Sequence, residues 1–408
     1  MRANNRITNK PGGVECPFPV TKEKTNQQIM ATSKTIRIDI GQYTMLLWYA
    51  FCCCILLFAS CSKDYSIEEI ETGVPIRFSG TVSTKASVID QSNLSKIGVF
   101  GYYTGIERWE WSAAAIPGNL QPDYFLNEPV TKVGGIWGYN ADYPRYWSAD
   151  TRNKISFFAY APYFGDGVGA EDITNSIELY PTVATETGTP SLTYTVPDDA
   201  LDQVDLLWGA SIDASKDDNG GIVRFDMNHA LTKVSFSALL SPDLWDRNNT
   251  IEITKITISG VHKDGMLDLS TGQWILEPTT GDFTLSSSHL ENALFDTQFA
   301  GSTIDESIRN DYESRVVIKD DCYLMMLPQQ MTNSSILSIT LNITTVNIAA
   351  ETQTETIFLD FPLLGTIIKS IWEQGNSIEY NFTLKQGIVD FNVNVRSWED
   401  EVLPSILY

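Results

Sequence analysis

Residues 378–396 read IEYNFTLKQGIVDFNVNVR, and the period of this stretch decides the fold class. Ile378, Tyr380, Phe382 and Leu384 recur at every second position, and Val389, Phe391, Val393 and Val395 alternate with Asp390, Asn392, Asn394 and Arg396. Successive side chains of a strand point to opposite faces, so this alternation sets one face on a core and the other in water. Leu337, Ile339, Leu341 and Ile343 repeat the pattern against Ser338, Thr340, Asn342 and Thr344.

Shorter β-rich runs fill the rest of the chain: PIRFSGTVS, KIGVFGYY, KISFFAYAP, SLTYTVP, VDLLWGAS, GIVRFDM, LTKVSFSALL, IEITKITISGV, CYLMML and TIFLDFPLL. Clusters such as Gly165-Asp166-Gly167, Asp217-Asp218-Asn219-Gly220-Gly221 and Ser270-Thr271-Gly272-Gln273 separate them and supply turn chemistry. No stretch sustains a helical period. Many short strands between such turns predict an all-β chain of antiparallel sandwiches.

The 408 residues, 43% of them hydrophobic, exceed one ordinary domain and suffice for two cores. The expected boundary lies near Asp226, giving domains over 74–226 and 227–408 after an acidic linker at 61–73. The aromatic band Trp109, Trp111, Tyr124, Phe125, Trp137, Tyr139, Tyr143, Tyr146 and Trp147 lies before that point, and the sequence after it is richer in Ile, Thr and Leu.

The N-terminus reads as targeting sequence. Met45 to Ser60, MLLWYAFCCCILLFAS, is an uncharged apolar run that follows Lys34 and Arg37 and ends on small residues, the three parts of a secretory signal. About 20 apolar residues are needed to cross a bilayer, so the run is short for a span. Phe58-Ala59-Ser60-Cys61 resembles the bacterial lipobox, with Phe58 where Leu is commonest, and implies that the Cys61 thiol receives a diacylglyceryl group. The polar residues before the run lack apolar periodicity, and Met30 or Met45 is expected to be the initiator.

With a formal charge of −23 the composition does not supply the concentrated Lys/Arg surface that phosphate binding needs, so nucleic acid is not an expected partner. Residues 1–60 hold seven Lys/Arg and three Asp/Glu, so the chain after Ser60 is four units more negative, at −27. Cys16, Cys52, Cys53 and Cys54 fall in the same prefix. With Cys61 acylated, Cys322 alone remains, which predicts no internal disulfide and a buried Cys322 in the apolar run CYLMMLP.

The sequence offers little chemistry. His229, His262 and His289 are isolated, without HExxH or a Cys/His spacing suited to zinc, and His229 is expected to be a hydrogen-bonded structural residue. Asp198, Asp199, Asp202 and Asp205 read as a solvated loop entering a strand. Asp213, Asp217, Asp218 and Asn219 could cup calcium, but Asp218 stands where an EF-hand loop needs glycine. No catalytic residue and no cofactor is expected. Trp109 and Trp111, two apart on a strand, share a face and form either a platform for sugar rings or part of a core.

Taken in order, the lipobox, PIRFSGTVSTKA, KIGVFGYYT, YWSADTRNKISFFAYAP, VDLLWGAS, VRFDMNHALTKVSFSALL, ITISGVHKDGMLDLSTGQW, MMLPQQMT and IWEQGNSIEYNFTLKQGIVDFNVNVRSWED resemble the fimbrillin family. These are subunits of protease-assembled fimbriae of anaerobic Gram-negative bacteria, made as lipoprotein precursors. The resemblance, from Cys61 to Trp398, implies two tandem transthyretin-like β-sandwich domains, no enzymatic activity and a role as stalk, anchor or tip at the outer membrane. Its partners would be other subunits, outer-membrane lipid through Cys61, and surface glycans or proteins in adhesion.

The resemblance further implies that a trypsin-like protease frees an N-terminal strand near Val74 to Thr84, with Ile76, Phe78 and Val82 filling a groove. A strand from another subunit then replaces it. The cut would follow Lys85 or Arg77; family members often carry Arg where this chain has Lys85, and an uncleaved, lipidated chain would act as an anchor. A buried structural role for Arg77 is the competing expectation. The C-terminal EDEVLPSILY is either a donor segment or folds back on its own domain, with Pro404 interrupting any ladder. The alternatives are a glycan-binding lipoprotein using Trp109 and Trp111, and a carbohydrate-active enzyme with an unrecognised carboxylate pair.

Overall fold

The structure, a computed structural model, describes residues 73–82, 94–110, 120–165, 176–241, 244, 249–296, 314–320, 322–347, 349–365, 370–385 and 388–397. The signal segment, Cys61, Lys85, Trp111 and the chain after Ser397 lie outside the described residues. Nearly all regular structure is strand. In chain order the first strands are β1 (Arg77–Val82), β2 (Lys96–Gly105), β3 (Phe125–Val133), β4 (Ile136–Gly138), β5 (Lys154–Ala161), β6 (Ile177–Tyr180), β7 (Ser191–Thr195), β8 (Leu207–Ala214) and β9 (Ile222–His229). They are followed by β10 (Thr232–Leu240), β11 (Asn249–His262), β12 (Asp264–Asp268), β13 (Gln273–Leu276), β14 (Thr280–Leu285), β15 (Leu294–Asp296), β16 (Arg315–Val316) and β17 (Leu324–Met326). The last are β18 (Gln329–Gln330), β19 (Ile336–Val346), β20 (Thr352–Pro362), β21 (Ile371–Trp372), β22 (Asn376–Lys385) and β23 (Ile388–Ser397).

The alternating stretches form the strands their period predicts. β22 and β23 pair antiparallel, Leu384 opposite Val389, and these two apolar side chains are buried on one face. β19 runs between β11 and β20 in a sheet ordered β14-β11-β19-β20, with β15 also on β11. A second sheet, β16-β10-β22-β23, has β17 also on β10. The apolar faces of these two sheets contribute to one core that includes Ile253, Ile339, Phe236 and Phe382.

The strands before His229 behave differently. All of them except β6 and β7 close into a barrel ordered β1-β4-β3-β2-β5-β8-β9, and the closure depends on β1, which bridges β4 and β9. β5 is buried along almost its whole length and β2 from Ile97 to Tyr102, in keeping with the apolar runs KIGVFGYY and KISFFAYA. Their two faces serve different cores. Val99 and Phe157 point into the barrel with Ile76, Phe78 and Phe225. Phe100, Tyr102, Phe158 and Tyr160 belong to the larger core that continues into the second half of the chain.

A four-stranded sheet, β13-β12-β7-β6, joins the halves. β7 pairs antiparallel with β12, Leu192 opposite Leu267, so strands from both sides of Asp226 share one ladder. The described residues belong to one compact unit spanning 72–408.

Candidate functional site

The closing strand β1 and the cleft that it fills form the candidate site. Along PIRFSG, Ile76 and Phe78 point inward and are only 1% and 5% exposed, while Arg77 between them is exposed. The expectation of a buried Arg77 is therefore corrected, because strand alternation turns this residue to solvent when its neighbours fill the barrel. The backbone of Val82 closes the ladder opposite Met227.

The Phe78 ring sits at the centre of an aromatic cage. Its centroid lies 5.3 Å from Phe125, 5.7 Å from Phe157 and 5.8 Å from Tyr139 in edge-on contacts, and 6.0 Å from Phe225 in a stacked one. Edge-on and offset pairs of this kind add roughly 0.5–1.5 kcal/mol each beyond burial. Gly80 leaves room beside Trp137, whose ring an added Cβ would meet at 3.6 Å.

Hydrogen bonds hold β1 on both sides. Its six residues pair in parallel with β9, Arg77 opposite Ile222 through Val82 opposite Met227, and the Thr81 hydroxyl donates to Asp226 at 2.9 Å. On the other side the Ile76 amide donates to the Arg145 carbonyl at 2.9 Å, and the Trp147 amide to Val74 at 2.9 Å. The half-buried Tyr139 hydroxyl accepts from the Arg145 amide at 3.0 Å and donates to the Ile76 carbonyl at 3.2 Å; partial burial raises its pKa. Arg145 lies over Phe125 at 4.7 Å and 3.5 Å from Glu128, which fixes the loop that grips β1.

The other singled-out residues have structural surroundings. Trp109 is 4% exposed, packed at 5.3 Å on Tyr102 and 4.7 Å on Phe158, and presents no face to a sugar. His229 Nδ1 lies 2.7 Å from Asp205 Oδ1 inside the fold, His289 Nε2 lies 3.0 Å from Asp199, and His262 Nδ1 lies 2.7 Å from the Glu277 carbonyl. Asp213 accepts from the Trp109 amide, a long-range tie, and Asp218 accepts from the amide and hydroxyl of Ser215 in its own turn, so both carboxylates have structural partners. Cys322 is buried. Among the described residues no group of three or more His, Cys, Asp or Glu is placed to hold a metal ion.

The family resemblance named Ile76 and Phe78, whose side chains point inward, but not the residues that receive them. GIVRFDM, at the expected boundary, is the parallel partner of β1, which its sequence did not show. Trp137, Tyr139 and Trp147, part of the aromatic band, line the barrel or its rim, and Trp147 donates its indole N–H to the Gly221 carbonyl at 3.0 Å. Their concentration in one part of the chain was the available signal.

A two-core, all-β chain closed by its own N-terminal strand is the class of protein that these features define. The sequence matches the family described as fimbrillin-like over residues 84–398, and the chain belongs to that family. The match begins just beyond β1. Among solved structures, the chain is similar to a fimbrial protein from Bacteroides vulgatus, with a TM-score of 0.60, 20% identity, and coverage of 79% of this chain and 99% of that one. It is also similar to a candidate cell adhesion protein from Bacteroides uniformis, with a TM-score of 0.44, 13% identity, and coverage of 81% and 99%. No curated protein matches the chain as a relative. Membership makes this a fimbrial, cell-surface protein of structural character.

Proposed function

We propose that the chain is a subunit, anchor or tip component of an adhesive fimbrium, built from tandem transthyretin-like domains over 74–226 and 227–408 and assembled by strand exchange. Lipidation at Cys61 would carry it to the outer membrane. Removal of β1 would open the cleft, and an extended strand from a neighbouring subunit would take its place, pairing with the exposed edge of β9 and filling the pockets left by Ile76 and Phe78. The two halves support the tandem reading through one shared feature: β10 pairs in parallel with β22 as β1 does with β9.

The observation that carries the proposal is the separation of the cores. Ile76 and Phe78 belong to a barrel interior distinct from the large core. Loss of β1 therefore removes side chains worth roughly 1.5–3 kcal/mol each from the barrel alone. The outer faces of β2 and β5 stay packed, so an open acceptor can persist.

Limited trypsin digestion of the purified chain, followed by intact mass and size-exclusion chromatography, tests this. Cleavage confined to the bonds after Lys85 or Arg77, followed by growth into higher oligomers, supports exchange. A chain cut there that stays monomeric refutes exchange, and one that resists cleavage fits the anchor role.

A further inference from the structure

A second cleft, remote in sequence from β1, lies where the two halves meet. It has a volume of about 450 Å3 and is lined by Trp208 and Asn228 from β8 and β9, Thr271 from the β12–β13 turn with Gln273 at the start of β13, and Gln374 from the β21–β22 turn with Asn376 at the start of β22. That size falls within the usual range of ligand pockets, about 300–1,000 Å3. No Lys, Arg, Asp or Glu lines it, although the chain is strongly acidic. The lining is rich in neutral amides and carries one indole.

The walls are fixed before any ligand arrives. Gly272 adopts φ +70° hard against the Trp208 ring, where an added Cβ would meet an indole carbon at 2.0 Å. With the Gln374 amide oriented to satisfy both neighbours, its oxygen accepts from Trp208 Nε1 at 2.7 Å and its nitrogen donates to the Gly272 carbonyl at 2.9 Å. Trp274 Nε1 donates to the Ala230 carbonyl at 2.8 Å, and the Gly375 amide to Leu231 at 2.9 Å. His229, also in the lining, is oriented by the buried Asp205. These contacts tie three separate segments into one rigid rim.

The polar groups are matched to hydroxyls. Asn228 Nδ2 donates to the Asp226 carbonyl at 3.0 Å and Asn376 Nδ2 to Glu373 at 2.8 Å, which leaves each carbonyl oxygen to accept from a ligand. The exposed Gln273 amide offers both a donor and acceptors beside the Thr271 hydroxyl. Sugar hydroxyls both donate and accept, and the C–H face of a pyranose suits an indole wall. From this juxtaposition we infer that the seam cleft binds a neutral saccharide unit, such as a terminal hexose of a surface glycan. This goes beyond strand exchange and does not depend on it.

The test uses the full chain on an array of neutral and charged glycans, followed by calorimetric titration with the best neutral mono- or disaccharide. Asn228→Ala combined with Gln273→Ala removes two exposed side chains that support no core, and the melting temperature should stay unchanged. The expected result is saturable binding of a neutral saccharide, weakened at least tenfold in the double variant. A preference for sialylated or sulfated glycans, no binding on the array, or binding unchanged in the double variant would overturn the assignment. Strand exchange is read separately by oligomer growth after trypsin, so the two ideas fail independently.

Discussion

The ring of Phe78 stacks on that of Phe225, with centroids 6.0 Å apart and planes inclined by 10°, across the parallel pairing of β1 and β9. The first described strand is thus keyed to a strand some 145 residues later by a ring contact as well as by the backbone ladder and the Thr81–Asp226 hydrogen bond. Phe→Ala changes in cores cost about 3–5 kcal/mol, and here the cost falls on the barrel alone. Phe78→Ala is expected to release β1 and lower a barrel transition while the larger core melts near its original temperature. Calorimetry together with amide exchange checks this; a single transition shifted as a whole would show that the two cores unfold together.

Arg77 is exposed, yet its backbone lies in the ladder with β9. Proteases need an extended, accessible segment, so cleavage after Arg77 should follow the fraction of molecules with β1 undocked. Trypsin is expected to cut there slowly in the parent chain and at least tenfold faster in Phe78→Ala. Equal rates, measured by peptide mass over time, would mean that pairing does not protect this bond.

The period-two stretches were readable because alternation fixes which face a side chain occupies. Ile76 and Phe78 were named through the family resemblance, and the runs of β2 and β5 read as strands without showing which faces they bury. Alternation does not name the partner. Nothing in RFSGTV specifies parallel pairing with IVRFDM across the intervening strands, and nothing in SLTYT specifies a ladder with DGMLD beyond Asp226. Trp109 shows the same limit: a spacing of two places it on a face without telling which face is wet. The seam cleft was illegible since its lining comes from three turns and strand ends, and only packing brings them together.

Gly272 should tolerate no side chain. It combines φ +70°, which L residues rarely adopt, with a Cβ position 2.0 Å from the Trp208 ring. Gly272→Ala is expected to destabilise the chain by about 2–4 kcal/mol, read as a lower denaturation midpoint, from backbone strain plus overpacking. Adding Trp208→Ala should recover part of that loss, because it relieves the steric share and leaves the backbone share. A purely additive double-mutant cycle would show that the two residues do not touch.

The seam should weaken in acid. Asp264 on β12 accepts from the Thr195 hydroxyl of β7 at 2.5 Å and from the Thr279 hydroxyl. Partial burial pushes its pKa up, but the two hydroxyls and the charge of Lys263 outweigh that, and the net direction is down. Asp199 is also held low, by the Leu201 amide and His289. A carboxylate whose folded pKa lies below its unfolded value, near about 3.9, stabilises the fold above that pH and loses its contribution as pH falls through the folded value. Asp123 opposes them, since burial raises its pKa and its contribution is greatest in acid. Asp264→Asn should therefore cost about 1 kcal/mol at pH 7, allowing for solvent screening, and almost nothing near pH 2. Urea midpoints at pH 7, 4 and 2 for parent and variant measure the difference, and a gap that stays constant with pH would show that the Asp264 charge does not support the β7–β12 seam.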